Sequence, residues 1–359
     1  MTAGGENARR IRVLIVEDTR VVAEFLAHVL ASDPQIDVVG VAMDGEAAIA
    51  AAQRLNPDVI TMDINMPKMD GFEATRRIME TRPAPIVVVC GSLSTDEVAI
   101  TFRAIEAGAL AVIGRPGGIG SADYTASTQE LVSTVKLMSE VKVVRRWPKH
   151  KTLSATTAAA AISQPAGVIQ VVAIGASTGG PAALQTVLGG LPKDFAYPVL
   201  IVQHMTVGFV QGFVDWLGNA SGFPVRLATE GEVLVPGRAY IAPDDFHMGL
   251  GAGRRIQLTR GLKENVLRPS VSHLFASVAQ IVGSNAVGVL LTGMGHDGVN
   301  ELKRLRDVGA ITIAQDESSS VVHGMPGEAI KIGAAQYVLS PQAIASTLAS
   351  MSAGSGATT

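Results

Sequence analysis

The sequence lacks several features that would place it in a class at once. It has one cysteine, Cys90, in 359 residues, which excludes an intramolecular disulfide framework and favours a reducing compartment. The formal net charge of −3 gives no electrostatic reason to expect nucleic acid or an anionic membrane as a partner. The N-terminus MTAGGENARR is too polar for a signal peptide, and no apolar run approaches the ~18 residues of a membrane helix. We therefore expect a soluble, cytoplasmic protein without membrane insertion.

The chain does contain two series of apolar, strand-like runs that alternate with helical patterns. Its length is too great for one ordinary core, so each series predicts a separate domain. Alternating strands and helices predict an α/β fold class, with two doubly wound parallel-sheet domains. The predicted strands of the first domain lie at 11–16, 36–41, 58–62, 85–90 and 109–113, before a last helix at 125–142. Those of the second domain lie at 168–174, 197–203, 238–242, 286–292, 310–314 and 335–339.

A segment without charge separates the two series. TLSATTAAAAISQPAG, at 152–167, is rich in alanine, threonine and serine, which is typical of a short helix or a mobile tether. We predict a first domain at 9–142, a linker at 143–167 and a second domain at 168–348. The remaining residues, 349–359, are predicted to form a disordered tail.

Polar residues that follow the strands of the second domain suggest a catalytic site. The carboxyl ends of parallel strands open on one edge of the sheet, where ligands bind. Ser177 follows 168–174, His204 follows 197–203, and Asp297 follows 286–292 within TGMGHDG. Nucleophilic acyl chemistry needs a hydroxyl to attack, a base to take its proton and an acid to hold the base. His296, beside Asp297, is a competing base, whereas His247 and His273 are interpreted as ordinary polar residues.

The glycine-rich corner GASTGGP, at 175–181, carries the serine. It fits G-x-S-x-G, a strand-to-helix turn that projects the serine and brings backbone N–H groups to a developing oxyanion. A phosphate-binding loop would need a lysine, and a dinucleotide fingerprint would need glycine at 177. A tight turn capped by Ser177 or Thr178 stays open as an alternative, as does a packing role for Met294.

Six motifs in order identify a family. GASTGGP is followed by QHM at 203–205, PGRAYIAP at 236–243, RPSV at 268–271, GMGHDG at 293–298 and HGMPGEA at 323–329. From 168 to about 348 the chain resembles the catalytic domain of the chemotaxis protein-glutamate methylesterases (CheB family). The resemblance implies a Rossmann-like three-layer α/β/α hydrolase that needs no cofactor. By this resemblance Ser177 is the nucleophile, His204 the base and Asp297 its orienting acid, with oxyanion support near Thr178 and Met294.

Three carboxylates follow strands of the first domain. Glu17 and Asp18 come after 11–16, and Asp63 comes after 58–62. Converging carboxylates repel one another unless a cation lies between them, and oxygen ligands suit Mg²⁺. One of them could accept a phosphoryl group as an aspartyl phosphate. The alternative, that two of them are surface caps, is less favoured for three acids at matching strand ends.

The stretch D-x-x-M-P-x-M-D-G at 63–71 makes this region resemble a flavodoxin-like response-regulator receiver domain. The resemblance implies that Asp63 is the phosphoacceptor, that Glu17 and Asp18 help to hold Mg²⁺, and that the backbone carbonyl of Asn65 completes the site.

Two positions depart from the receiver pattern. Cys90 stands where the switch serine or threonine is usual, with Ser92 two residues later, and Arg115 replaces the lysine that precedes a proline. Because a guanidinium favours bidentate pairing with a carboxylate, we predict an Arg115–Asp63 ion pair.

Together the two resemblances imply a receiver-controlled serine hydrolase that demethylates glutamate methyl esters on chemoreceptors and also deamidates receptor glutamines. The implied partners are the cytoplasmic domain of a methylated chemoreceptor and a histidine kinase of the chemotaxis type. A non-catalytic signalling adaptor that keeps the fold and binds receptors is the alternative.

Overall fold

The computed structural model describes residues 9–91, 102–118, 120–141, 143, 169–261 and 267–355. The chain divides into two compact units, with the division between residues 152 and 153. Apart from residue 143, the predicted linker lies outside the described residues, as do Ser92 and the last four residues of the predicted tail. Within the described part of the chain, no helix is both long enough and apolar enough to cross a membrane.

The first unit is a parallel five-stranded sheet with the strand order β2-β1-β3-β4-β5. Strands β1, β3 and β4 lie inside the sheet and are almost entirely buried, which explains why they read as unbroken apolar runs. The strands are β1 (Ile11–Val16), β2 (Ile36–Ala42), β3 (Val59–Met62), β4 (Ile86–Cys90) and β5 (Ala111–Gly114). The helices are α1 (Arg20–Ala31), α2 (Gly45–Leu55), α3 (Gly71–Thr81), α4 (described over 102–107) and α5 (Tyr124–Ser139).

The second unit contains a parallel seven-stranded sheet with the order β14-β13-β12-β6-β7-β9-β8, beside an antiparallel hairpin of β10 and β11. Its strands are β6 (Val171–Ala176), β7 (Val199–Gln203), β8 (Val225–Leu227), β9 (Ala239–Ile241), β10 (His247–Gly251), β11 (Arg255–Thr259), β12 (Ala286–Leu290), β13 (Ile311–Gln315) and β14 (Tyr337–Leu339). Its α-helices are α6 (Gly180–Gly189), α7 (Val210–Ser221), α8 (Val271–Ile281), α9 (Val299–Asp307), α10 (Met325–Lys331) and α11 (Pro341–Ser355).

These sheets confirm the predicted fold class of two doubly wound α/β domains. The sequence pattern missed β8 and the β10–β11 hairpin. The first has only three residues, and two of the five residues of β10 are glycine, so neither gives a clear apolar run.

The order of the second sheet determines where its functional loops meet. From β6 the chain builds outward through β7 in one direction, and later through β12 in the other. The boundary between β6 and β12 is therefore a topological switch point, where a crevice opens at the carboxyl ends of the strands. Ser177, His204 and Asp297 all follow strands that end at this crevice.

The prediction of a disordered tail is wrong for residues 349–355, because α11 continues to Ser355. Two hydrogen bonds attach its end to the segment before β7. The Tyr197 hydroxyl donates to the carbonyl of Met351, and the Ala196 N–H donates to the Ser352 hydroxyl, both at 2.8 Å. Residues 349–355 are therefore part of the second unit.

We predict that a chain ending at Ala349 is less stable than one ending at Ser355. The shorter chain loses both hydrogen bonds, and each is worth about 1 kcal/mol net, so unfolding of the second unit should become easier by about 1–2 kcal/mol. Scanning calorimetry of the two truncated chains and the full chain measures the change. Equal melting temperatures for all three would show that the end of the helix contributes nothing.

Candidate active site

Ser177 lies immediately after β6, in the turn that leads into α6. Its N–H donates to the carbonyl of Thr292 at 3.0 Å, and its own carbonyl accepts from the Gly180 N–H at 2.8 Å. Helix α6 has Gly179 as its N-cap and receives no side-chain cap. The alternative in which Ser177 or Thr178 caps this helix is therefore wrong, and the serine hydroxyl is available for other chemistry.

The glycines around Ser177 are required by close approach. A methyl group on Gly293 would lie 2.7 Å from Ser177 Cβ, and one on Gly180 would lie 2.0 Å from the Gln203 side-chain oxygen. The loop after β12 therefore passes directly beside the nucleophile. A larger residue at position 293 would push the two loops apart, and one at position 180 would displace the Gln203 side chain.

His204 and Asp297 form a hydrogen-bonded pair. His204 Nε2 lies 3.0 Å from Asp297 Oδ2, and both side chains are largely buried, at 12% and 3% exposure. Because Nε2 faces the carboxylate, Nδ1 is the ring nitrogen left to exchange a proton with a hydroxyl. No hydrogen bond joins Ser177 Oγ to His204 in the described residues, and such bonds commonly tighten only when substrate binds.

Asp297 is held as an anion by the start of α8. Its carboxylate accepts from the Val271 N–H at 2.6 Å, the Ser272 N–H at 3.1 Å and the Ser270 hydroxyl at 2.9 Å. Burial alone would raise the pKa of Asp297, but the hydrogen bonds from His204 and from these donors hold that pKa well below its usual range. Backbone N–H groups at a helix N-terminus stabilise a negative charge without any cation.

The competing histidines have other surroundings. His296 is exposed, and the imidazole that lies 3.0 Å from the Asp297 carboxylate is that of His204, so His296 does not take its place. His247 is buried and stacks on His273 with a centroid separation of 4.8 Å, which makes it a core residue. Met294 is 54% exposed, so the packing alternative for it is wrong.

Two polar residues that the sequence analysis did not single out hold the loops together. The side-chain amide of Gln203 donates to the carbonyls of Ser177 and His204, both at 2.8 Å. The Thr292 hydroxyl donates to the carbonyl of Thr178 at 2.9 Å and accepts from the Val322 N–H. The sequence signal that could have pointed to Gln203 and Thr292 is a polar residue at, or just after, the end of an apolar run.

The predicted oxyanion donors lie in the appropriate loops. Thr178 follows the nucleophile, and Met294 follows Gly293, whose backbone lies against Ser177 Cβ. Among the described residues, neither Thr178 N–H nor Met294 N–H has a hydrogen-bond acceptor. Both amides are thus available to an oxygen that develops negative charge.

The first unit brings its three predicted carboxylates together. One oxygen each from Glu17, Asp18 and Asp63 can be chosen so that all lie within 4.8 Å of one another. Burial, followed by the charge of Asp63, raises the pKa of Glu17, and burial likewise raises the pKa of Asp63. Buried, mutually repelling oxygen ligands fit a divalent cation. Asn65 lies two residues after Asp63, and its N–H is directed to that carboxylate.

The expected Arg115–Asp63 ion pair is wrong, because Arg115 pairs with Glu17. Arg115 Nη2 lies 3.2 Å from Glu17 Oε2, while its charge still acts on Asp63. Gly91 leaves the space for this geometry, since a methyl group there would lie 2.8 Å from Arg115 Cζ. Cys90 is the buried last residue of β4, and its carbonyl accepts from the Arg115 N–H at 2.7 Å.

Each of the two units matches a known protein family. Residues 172–348 match the family model of the CheB methylesterase, and residues 13–120 match that of the response regulator receiver domain. A protein-glutamate methylesterase/protein-glutamine glutaminase of Geobacter metallireducens is 54% identical over 95% of this chain and 99% of its own length. The chain belongs to the CheB methylesterase family.

Other members of this family are similarly close. The protein of the same name from Syntrophus aciditrophicus is 55% identical over 94% of this chain and 97% of its own length. The crystal structure of the Thermotoga maritima CheB methylesterase catalytic domain has 38% sequence identity and a TM-score of 0.50, and it covers 52% of this chain and 100% of that one. The family resemblance stated from the motifs is thus confirmed.

We predict that Asp297→Asn lowers the free energy of unfolding by about 1–3 kcal/mol at neutral pH, because a charged acceptor is lost. A lowered folded-state pKa stabilises the protein above the unfolded value of 3.8, and this stabilisation disappears as the pH falls below that value. The difference in the free energy of unfolding between the variant and the unmodified chain should therefore become smaller below about pH 4. Denaturant unfolding of both proteins from pH 7 to pH 3 measures this difference. If it stayed constant over that range, the charge of Asp297 would not be what stabilises the folded state.

Proposed function

We propose that this chain is a receiver-controlled serine hydrolase that cleaves methyl esters of glutamate side chains on chemoreceptors. The observation that carries the proposal is the meeting of Ser177, the buried His204–Asp297 pair and two available backbone amides at one sheet edge. The full-length relatives named as methylesterases support the same activity.

The proposed reaction begins with attack of Ser177 Oγ on the ester carbonyl, while His204 Nδ1 takes the hydroxyl proton. The resulting oxyanion accepts hydrogen bonds from the N–H groups of Thr178 and Met294. Methoxide leaves with the proton from His204, which yields methanol and an acyl-enzyme on Ser177. Water then attacks the acyl carbon, His204 takes its proton, and Ser177 departs with that proton to leave a glutamate carboxylate.

Asp297 supports both steps from behind the imidazole. Its low pKa keeps it a carboxylate throughout, so it orients His204 through Nε2 and stabilises the imidazolium that forms. The same route accounts for glutamine deamidation, with ammonia leaving in place of methanol. A non-catalytic adaptor would have no use for a buried acid, a paired base and an accessible serine, and we do not favour it.

For the receiver, we propose a Mg²⁺ site made of Glu17, Asp18, Asp63 and the backbone carbonyl of Asn65. When bound, the cation supplies positive charge that offsets the charge of an incoming phosphoryl group. Asp63 then accepts the phosphoryl group from a histidine kinase of the chemotaxis type. Arg115, already beside Glu17, provides a second positive charge at the same edge.

We predict that Ser177→Ala, His204→Ala and Asp297→Ala each lower kcat for receptor demethylation by about 10³-fold or more. Because the three residues act as one unit, the kcat of the triple variant should be no lower than that of the least active single variant. Methanol release from methylated receptor membranes measures the rates, and circular dichroism checks that each variant is folded.

His296→Ala is the matched control, since it removes a neighbouring exposed imidazole. It should keep near-normal activity. Full activity in His204→Ala together with loss in His296→Ala would overturn the assignment of the base, and full activity in Ser177→Ala would overturn the proposed function.

We further predict that Arg115→Lys combined with Cys90→Ser increases phosphorylation-dependent activation by about 5-fold, the lower end of typical allosteric coupling. Lysine carries a compact charge on a flexible stem in place of the planar guanidinium, and serine is a stronger hydrogen-bond donor than cysteine. The measurement is the ratio of esterase rates with and without a small phosphodonor in Mg²⁺. Asp63→Asn is the control that should give a ratio of one. An unchanged ratio in the double variant would contradict the argument.

A further inference from the structure

Two consecutive acidic residues, Asp244 and Asp245, make hydrogen bonds in two different directions. They lie in the connection between β9, which ends at Ile241, and β10, which begins at His247. Because β9 pairs with β7 in parallel, this connection begins at the same sheet edge from which His204 emerges. The mechanism described above uses neither residue.

Asp244 is bonded to the loop that carries the base. Its Oδ2 accepts from the Gly208 N–H at 2.8 Å. Gly208 lies four residues after His204 and has a left-handed φ of +92°. The next residue, Phe209, is buried and precedes α7, so the loop is fixed by strand β7 at one end and by Asp244 and Phe209 at the other.

Asp245 is bonded to the segment that holds the acid. Its Oδ1 accepts from Arg268 Nε at 2.9 Å and also from Arg268 Nη2. The same guanidinium donates through Nη1 to the carbonyls of Arg260 and Gly261, and its side chain is only 17% exposed. Two residues after Arg268, Ser270 begins the run of donors that holds the Asp297 carboxylate.

The separation of His204 and Asp297 needs such a support. They lie 93 residues apart and follow β7 and β12, which are not hydrogen-bonded to each other because β6 lies between them. Two strand spacings are about 9.6 Å, so strand pairing alone does not fix a 3.0 Å contact between these side chains.

We propose that Asp244 and Asp245 act as a positioning clamp that joins the loop of the catalytic base to the cradle of the catalytic acid. This inference rests on the proposed esterase function. Asp244 holds the His204 loop, Asp245 holds Arg268 and the start of α8, and the peptide bond between the two acids fixes one half relative to the other. Both are positioning residues, since they act through Gly208 and Arg268.

The variants that test the clamp separate charge, hydrogen bonding and backbone shape. Asp244→Ala removes the acceptor for Gly208 N–H, whereas Asp244→Asn keeps a carbonyl oxygen in its place. Asp245 has φ +60°, so Asp245→Gly removes the ion pair without backbone strain. Asp215→Ala is the matched control, because this exposed acid on α7 also accepts one side-chain hydrogen bond.

In steady-state methanol release by the full-length chain, Asp244→Ala and Asp245→Gly should each lower kcat by about 10-fold with KM unchanged. Asp244→Asn should recover most of that loss, and Asp215→Ala should have no effect. The double variant should have a kcat only slightly below that of the worse single variant, because both contacts help to fix the same His204–Asp297 distance. Additive losses, a rise in KM alone, or no rescue by asparagine would overturn the clamp.

The rate at which a fluorophosphonate labels Ser177 provides a readout that does not depend on the receptor substrate. It should fall in parallel with kcat in the two clamp variants, and Ser177→Ala should not be labelled. Normal labelling in Asp244→Ala and Asp245→Gly would overturn the clamp alone. Normal labelling of the unmodified chain without any methanol release would instead overturn the esterase function, while the labelling rates of the variants would still decide the clamp.

Discussion

The catalytic unit depends on one buried charge, the carboxylate of Asp297. A carboxylate that is 3% exposed is costly unless its oxygens are hydrogen-bonded. Here the start of α8 supplies two N–H groups and a serine hydroxyl, and His204 supplies the fourth contact. Because the acid is stable only in this cradle, the position of α8 fixes the position of the base. The accuracy of the active site is therefore a property of the loops around the acid.

The receiver unit also buries carboxylates, but their charge is balanced in a different way. Glu17 and Asp63 are also buried carboxylates at a sheet edge, but burial raises the pKa of both. The charge of Asp63 raises the pKa of Glu17 further, and the charge of Asp18 does the same for Asp63. The N–H groups of Thr19 and Ile64 donate to these carboxylates, but they do not cancel this repulsion, and the pKa of both acids stays raised. Arg115 offsets part of it through Glu17, and a divalent cation fits the remaining negative charge. One cluster is thus built to stay charged without a cation, and the other is suited to binding one.

Much of both sites could be predicted because strand ends are visible in sequence. Ser177, His204 and Asp297 each follow an apolar run, and parallel strands must bring such residues to one edge. The cradle could not be found in this way, because Val271 and Ser272 act through backbone N–H groups that carry no sequence signal. The tail was predicted to be disordered because it lies at a chain terminus. The order of residues 349–355 comes with tertiary hydrogen bonds to Tyr197 and Ala196, which the sequence does not reveal.

The ion-pair partner of Arg115 could not be predicted from residue type alone. The chemical argument that a guanidinium seeks a carboxylate was correct, but three carboxylates stand at that edge, and their chemistry does not distinguish them. The side chain at position 91 is absent, so the guanidinium can lie close to the backbone there, and from this position Arg115 Nη2 contacts Glu17 at 3.2 Å. Among the described residues Asp63 makes no ion pair, and its carboxylate, which accepts from the Ile64 N–H, is left to the phosphoryl group that we propose for it.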